Sequence, residues 1–360
     1  MNRLVIATSA SAVPMGAQVY EEQVASRAAD ALSSTGGSWR VDRFIARSLR
    51  STLPGTARVP VGRLARAGRR ERAVLGRLLY PGGVLVHRMD LGLPPARAEV
   101  LTMHDTVAWR FPDEGARIAS AGDELREAAA VICVSQHTAE DVAEMFGVER
   151  LHVAHLGIDE RFDGAEPLSM TERESLGITG RYVLHAGGAT QRKNLEGLAG
   201  AWERLQDAVP DVTLVLSGPP HPRRDGLFRE LPRALRVGRL PGGMLPRLMA
   251  GASAVVVPSL YEGFGLPVLE AMAAGAPVVA ARTSSLPEIA GGAAILVDPT
   301  PDSIAEGVRY ALSAEFDRDA AVAAGRARAA EFTWERSLRI HADVWRAASG
   351  GDRPAGSLIA

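Results

Sequence analysis

One cysteine, one lysine and two asparagines are all that this 360-residue chain holds of three common residue types. A lone Cys133 excludes an internal disulfide and any zinc site built on thiolates, and it fits a reducing cytoplasm. No run approaches the ~18 apolar residues that a membrane span needs. The opening M-N-R-L-V-I-A-T-S-A turns polar again too soon for a signal peptide, so Leu4–Ala7 reads as a first β-strand. The formal net charge is −1, which argues against nucleic acid as a partner, because phosphate backbones call for a basic surface. Neither G-K-S nor G-K-T occurs, so there is no P-loop. No G-x-G-x-x-G follows a strand, which leaves a dinucleotide-dependent dehydrogenase weakly supported.

What is present is an alternation of short apolar runs with helix-length segments, the pattern of parallel α/β sheets. In the first half, strands are expected at 4–7, 84–87, 100–103, 131–134 and 152–156, with helices at 16–33, 62–79, 116–129 and 136–146. The stretch Arg161–Gly177 is polar, lacks strand periodicity and reads as an interdomain linker. The second half restarts the alternation. Strands are expected at 182–186, 212–217, 235–237, 254–258, 277–281 and 294–297, and helices at 195–208, 267–274, 301–312, 318–331 and 334–348. Two doubly wound domains in series would leave a cleft, and open α/β sheets bind ligands beyond the carboxyl ends of their strands.

Of 41 basic residues 40 are arginine, and the exception, Lys193, stands beside Asn194 in A-T-Q-R-K-N-L-E-G. In a chain that uses arginine for every other positive charge, this pair suggests that a compact ammonium is wanted at that place. The densest signal is V-V-V-P-S-L-Y-E-G-F-G-L-P-V-L-E-A-M-A-A-G-A-P-V-V-A, Val255–Ala280. A strand runs into a glycine-containing loop, Pro267 suits a first helical turn, and Gly275 ends the helix. Glu262 lies on the loop and Glu270 in the first turn of the helix. Gly263 and Gly265 let backbone approach a ligand, and free amides at a helix start attract anions. Two carboxylates beside such a helix start suit a sugar nucleotide, with hydroxyls for the carboxylates and phosphate for the amides. The alternative is that Glu270 only complements the helix dipole, worth ~0.3–1 kcal/mol.

The same stretch closely resembles the Glu, seven residues, Glu motif of the retaining glycosyltransferases of family 4, and the likeness extends along most of the chain. H-A-G-G-A-T-Q-R-K-N-L (185–195) resembles the family's donor-phosphate segment, and S-S-L-P-E-I-A-G-G-A-A-I-L-V-D-P (284–299) the stretch after the motif. V-S-Q-H-T-A-E-D-V (134–142) and H-L-G-I-D-E-R-F (155–162) resemble the end of the amino-terminal domain. T-M-H-D (102–105) resembles a subgroup with many bacterial mannosyltransferases. The resemblance implies a GT-B fold, two Rossmann-like doubly wound domains. It implies an acceptor domain at 1–165, a nucleotide-sugar donor domain at 166–331, and a last helix, about 332–349, packing back on the first.

It further implies a retaining transfer of a hexose from a nucleoside diphosphate sugar to an acceptor hydroxyl, with no metal and no bound cofactor. Catalytic roles are implied for His104, Lys193 and Glu262. Glu270 would bind the donor ribose, and Glu262 would face the transferred sugar, with backbone of Gly263, Phe264, Gly265 and Leu266 contacting sugar and phosphate. Arg192 and Lys193 would meet the diphosphate, and Arg239 and Leu240 fall near the loop that holds the base. Two departures stand out. Gly188 occupies a place where many members have arginine, and Gly16-Ala17 replaces a Gly-Gly pair, leaving Gly16 as the diphosphate neighbour. The donor sugar favoured by the subgroup is GDP-mannose, with UDP- and dTDP-sugars as alternatives; the acceptor is a glycan, a lipid-linked or a small-molecule hydroxyl. An epimerase or phosphorylase of the same fold, and a noncatalytic sugar-nucleotide-binding subunit, are the competing readings.

Several residues carry two readings each. His104 opens a loop at a strand's carboxyl end, where site residues gather, but it would also serve as a structural histidine. Asp105 suits orienting the loop, and Asn194 suits capping the following helix. His152 and His155 face opposite sides of their expected strand, and His185 is expected in the core. D-R-D (317–319) reads as a solvated helix face. The run Arg58–Arg77 holds seven arginines against one glutamate, with Val61, Leu64, Val74, Leu75 and Leu78 as an apolar stripe. It reads either as a solvated face or as a peripheral contact with an anionic membrane, which would put a cytoplasmic protein at the membrane's inner face.

Overall fold

The computed structural model describes residues 1–12, 16–33 and 38–350. The chain forms two compact units, one made of Met1–Gly157 with the residues from Thr333 onward, the other of Ile158–Phe332.

The sheet of the first unit has strands β1 (Asn2–Ser9), β2 (Trp39–Ser48), β3 (Ala57–Val59), β4 (Leu85–Arg88), β5 (Glu99–Met103), β6 (Ala130–Cys133) and β7 (Leu151–Val153). Their order is β3-β2-β1-β4-β5-β6-β7 and every pairing is parallel. Parallel strands are covered by helices on both faces, so β4, β5 and β6 are buried along their whole length. That burial is why they read as unbroken apolar runs.

The second unit repeats the plan with β8 (Arg181–Ala186), β9 (Val212–Ser217), β10 (Ala234–Gly238), β11 (Ala254–Val257), β12 (Val278–Ala281) and β13 (Ile295–Val297). The order is β10-β9-β8-β11-β12-β13, again parallel throughout. In both sheets the first strand is central and the chain reverses direction of travel beside it. The switch points therefore lie between β1 and β4 and between β8 and β11, where such sheets present a crevice to ligands.

The sequence expectations need correction in several places. β2 and β3 are absent from them, because W-R-V-D-R-F-I-A-R-S carries charges through a partly exposed strand. The expected helix 62–79 is two helices, Val61–Leu64 and Arg69–Leu79, separated by a turn that ends at Gly68 in an extended conformation. The expected linker contains a short helix, Met170–Ser175, opened by a capping box in which Ser169 and Glu172 satisfy each other's backbone amides. His155 lies beyond the end of β7. Helices Pro222–Phe228, Met244–Ala250 and Leu286–Ala290 were also not anticipated.

The basic segment is not a uniformly solvated face either. Arg72 is fully buried, donating to both oxygens of Glu124 (2.6 and 3.1 Å) and to the carbonyls of Leu64, Leu91 and Leu93. Arg88, equally buried, reaches Glu124 (2.7 Å) and Glu99 (3.1 and 3.0 Å). Two cations thus meet two carboxylates in the interior, which knits the helix Arg69–Leu79 to β4, β5 and the loop after β4. Of the expected apolar stripe, Leu64 is buried and Leu75 half-buried, whereas Val74 and Leu78 face solvent. The side chain of Val61 lies outside the described residues.

The helix Trp334–Ser349 returns to the first unit and packs on the helix Gly16–Ser33. Gly157 permits its start to come close: a Cβ there would lie 2.4 Å from the Trp334 amide nitrogen.

Candidate active site

In the second unit the chain leaves β8 through Gly187-Gly188-Ala189-Thr190 and enters a single 3-10 turn, Gln191–Lys193. Buried Arg224 holds this loop from below, donating to the carbonyls of Gly187 (2.5 Å), Gly188 (3.1 Å) and Pro219 (2.6 Å). Asn194 follows in a left-handed conformation (φ 52°), which asparagine tolerates better than most residues. Its side chain caps the helix Leu195–Leu205 by accepting from the Gly197 amide, and its amide donates to the carbonyls of Pro258 (3.0 Å) and Pro299 (2.9 Å). The carbonyl of Arg192 accepts from the Leu260 amide at 2.7 Å. The loops after β8 and β11, on either side of the switch point, are stitched together by these bonds.

The loop after β11 carries Glu262, which is buried. Lys193 Nζ lies 2.6 Å from its Oε1, Arg192 Nη1 2.6 Å from its Oε2, and Ser259 Oγ donates to Oε1 at 2.7 Å. Burial alone would raise this carboxyl, but the Lys193 and Arg192 charges outweigh it and hold the group at about 2. The Glu262 backbone is fixed separately: its amide donates to Ser284 Oγ (2.8 Å) and its carbonyl accepts from Ser285 Oγ (2.9 Å), which also serves the Phe264 carbonyl (2.7 Å).

Gly265 then turns the chain with φ 108°, a conformation open to glycine, and the helix Leu266–Ala273 begins, with Pro267 in its first turn. Gly263 and Phe264 are buried and Leu266 is half-buried. Glu270 is half-buried on the helix; desolvation and the neighbouring Asp159 raise its carboxyl to about 7, against the opposing charges of Arg161 and Lys193. Arg239 is exposed and Leu240 half-buried just after β10. His185 is buried in β8, its Nδ1 3.1 Å from the Val256 carbonyl, with the ring held neutral by burial. Asp317 caps the helix Arg318–Ala329, so D-R-D is a helix start.

In the first unit Gly16 is the exposed first residue of the helix Gly16–Ser33, after β1. Across the switch point Ser9 Oγ donates to Asp90 Oδ2 at 2.5 Å. His104 lies beyond β5, half-buried, with Nε2 3.2 Å from the Met89 carbonyl. That nitrogen must be the donor, which leaves Nδ1 as the acceptor of the neutral ring; desolvation lowers the pKa and keeps the ring neutral. Asp105 accepts from the Val107 amide and so orients the loop.

Beneath His104 runs a directional chain of hydrogen bonds. Trp345 Nε1 donates to His87 Nδ1 (3.1 Å), so His87 Nε2 carries the proton and donates to Thr102 Oγ1 (2.8 Å). The Thr102 hydroxyl serves the Tyr20 phenol, Tyr20 donates to His341 Nε2 (2.7 Å), and His341 Nδ1 donates to the Ser337 carbonyl (2.8 Å). The Tyr20 ring meets His104 edge-on, 5.1 Å between centroids.

A family model described as Glycosyl transferases group 1 matches residues 180–314, the region that holds Lys193, Glu262 and Glu270. O-antigen chain mannosyltransferase B of Escherichia coli is 32% identical over 274 residues, which cover 71% of this chain and 70% of that protein. The chain belongs to the group 1 glycosyl transferases.

Solved structures place this glycosyltransferase in the GT-B fold. Sucrose-phosphate synthase from Thermosynechococcus elongatus superimposes with a TM-score of 0.71 at 22% identity, covering 96% of this chain and 98% of that one. Anabaena HepE in complex with UDP-glucose gives 0.69 at 17% identity, covering 95% and 98%. Within the second unit of the transferase, Arg192, Lys193 and Glu262 are in direct contact, while Glu270 stands on the helix beyond. Sequence reasoning missed Ser259, Ser284, Ser285 and Arg224, which hold these groups in place, and Tyr20, which abuts His104. Ser259 lies within the stretch Val255–Ala280, and Ser284 and Ser285 open the stretch 284–299; nothing local marks Arg224 or Tyr20. Among the described residues no helix is long and apolar enough to cross a membrane, and no cluster of three His, Cys, Asp or Glu side chains could hold a metal ion.

Proposed function

We propose that this glycosyltransferase moves a hexose from a nucleoside diphosphate sugar to an acceptor hydroxyl, with retention of configuration and without a metal ion. The observation that carries the reading is the pairing of Arg192 and Lys193 at the switch point of the second sheet, beside the helix start at Leu266. Charge develops on the leaving diphosphate, and fixed cations and amides stabilise it most in the transition state. Those cations would do the work that a divalent ion does elsewhere. Glu270 takes the ribose hydroxyls, the backbone near Arg239 and Leu240 takes the base, and Gly263–Leu266 contact sugar and phosphate. In the first unit, His104 offers Nδ1 as a hydrogen-bond acceptor. The acceptor hydroxyl attacks on the face the diphosphate leaves, and a donor phosphate oxygen takes its proton.

The similarity to an O-antigen mannosyltransferase favours mannose, and hence GDP-mannose, and a glycan or lipid-linked acceptor; the complex of HepE with UDP-glucose keeps UDP-sugars in view. A lipid-linked acceptor accords with Val74 and Leu78, which stand exposed on the helix Arg69–Leu79 among exposed Arg70 and Arg77, a surface suited to the inner face of an anionic membrane.

The test is to incubate the protein with GDP-, UDP-, dTDP- and ADP-sugars, with and without acceptor extracts, and to follow nucleotide release. Release that depends on an acceptor, persists in chelator and gives product with the donor's anomeric configuration is expected. Release that never depends on an acceptor refutes transfer. Lys193→Ala should lower turnover by ~10²–10³, as loss of one oxyanion donor does; activity within a few-fold of wild type would remove Lys193 from the mechanism.

A further inference from the structure

We infer that Glu262 competes with the donor diphosphate for Arg192 and Lys193, and so makes the site prefer sugar-bearing nucleotides over the bare nucleoside diphosphate. The inference rests on the reading that these two cations meet the diphosphate.

The contacts carry it. Each oxygen of one buried carboxylate is taken by a different cation at 2.6 Å. An incoming diphosphate therefore meets cations that already have a charge-assisted partner, and the carboxylate itself repels it. The backbone of Glu262 cannot withdraw, because Ser284 and Ser285 hold its amide and carbonyl. Only the side chain is left to move, by rotation about its own torsions.

Once displaced, a buried carboxylate needs new donors, since an unpaired charge in the interior is strongly unfavourable. Ser259 Oγ supplies one at 2.7 Å. The hydroxyls of the transferred hexose supply the others. A bare nucleoside diphosphate brings no such hydroxyls, so its binding leaves Glu262 short of partners and the carboxylate returns to the cations. The same exchange favours departure of the nucleotide after transfer.

The experiment is calorimetric titration of wild type, Glu262→Gln and Lys193→Ala with GDP, UDP, dTDP and ADP, and with GDP-mannose and UDP-glucose, after a thermal melt confirms folding. Glu262→Gln removes the competing charge and should bind the bare nucleotide at least about tenfold tighter, while its preference for the sugar-bearing form shrinks. Lys193→Ala should bind both more weakly. If Glu262→Gln does not fold, Glu262→Asp replaces it: the shorter side chain should hold the two cations less closely, and an intermediate tightening is expected. Unchanged or weaker binding of the bare nucleotide by the Glu262 variants, with Lys193→Ala weakened, overturns the inference and leaves the diphosphate reading standing. Binding indifferent to Lys193→Ala overturns both.

Discussion

Acidification should weaken the first unit through His341, and the size of the effect follows from its surroundings. Burial lowers His341 from its ordinary 6.5 to about 4. Its Nε2 accepts from Tyr20 and its Nδ1 donates to Ser337, so a proton added at Nε2 breaks the chain of bonds. The folded pKa lies below the unfolded one, so the neutral ring's contribution is complete above pH 6.5 and is lost as pH falls toward 4. At 1.36 kcal/mol per unit, the loss is about 0.8 kcal/mol at pH 6, about 2 at pH 5 and about 3 by pH 4. His341→Gln retains an acceptor for Tyr20 and removes the titration. Subtracting the stability of His341→Gln from that of wild type cancels the other titrating groups to first order. Urea unfolding followed by tryptophan fluorescence is the assay, because Trp39, Trp109, Trp334 and Trp345, four of the five tryptophans, lie in the first unit. At pH 7 the variant should be the less stable protein. The gap should narrow by about 2 kcal/mol at pH 5; a gap constant from pH 7 to pH 5 refutes the assignment of His341 as a buried neutral acceptor.

Arg72→Ala should lower the stability of the first unit by about 3–5 kcal/mol, because it leaves Glu124 sharing one cation in the interior; the same fluorescence titration measures it, and a change under 1 kcal/mol would contradict the buried network. Donor binding should release protons near neutrality. With its carboxyl at about 7, Glu270 is about three-quarters protonated at pH 6.5, and ribose hydroxyls donating to it favour the ionised form. Calorimetry in two buffers of different ionisation enthalpy should show about 0.7 proton released at pH 6.5 and almost none at pH 8.5, with Glu270→Gln abolishing the difference. Vesicles of phosphatidylcholine and phosphatidylglycerol should sediment the protein at low salt, and Leu78→Glu should release it; equal sedimentation of both proteins rules out the helix Arg69–Leu79 as the contact.

Much of the fold could be read from the chain because parallel strands are covered on both faces and so appear as unbroken apolar runs, as in V-V-V-P and V-L-T-M. Where a strand keeps one face in contact with water, as β2 does, its charges hid it. The S-M-T-E of Ser169–Glu172 was a legible helix start inside a stretch too polar to attract attention. At the candidate site, composition singled out Lys193 and the loop-and-helix motif singled out Glu262, but their contact was not legible. They are 69 positions apart, and no local pattern says that one cation will be occupied by that carboxylate rather than left for a ligand. Arg72 was misjudged for a related reason. Its burial depends on Glu124, 52 positions away, whereas its neighbours in sequence are ordinary surface arginines.

The first unit is assembled from both ends of the chain, and that has a consequence for biosynthesis. Tyr20 is translated early, but the histidine that accepts its hydrogen bond comes 321 residues later, after the whole second unit has been synthesised. Domains that are contiguous in sequence fold as they emerge. Here the second unit is free to finish while the first still lacks the helix that closes its Tyr20–Thr102–His87 chain. The support beneath His104 therefore waits on a segment made after the second unit, and a protein truncated before Trp334 would keep every residue of the second unit while the first lacked its closing helix.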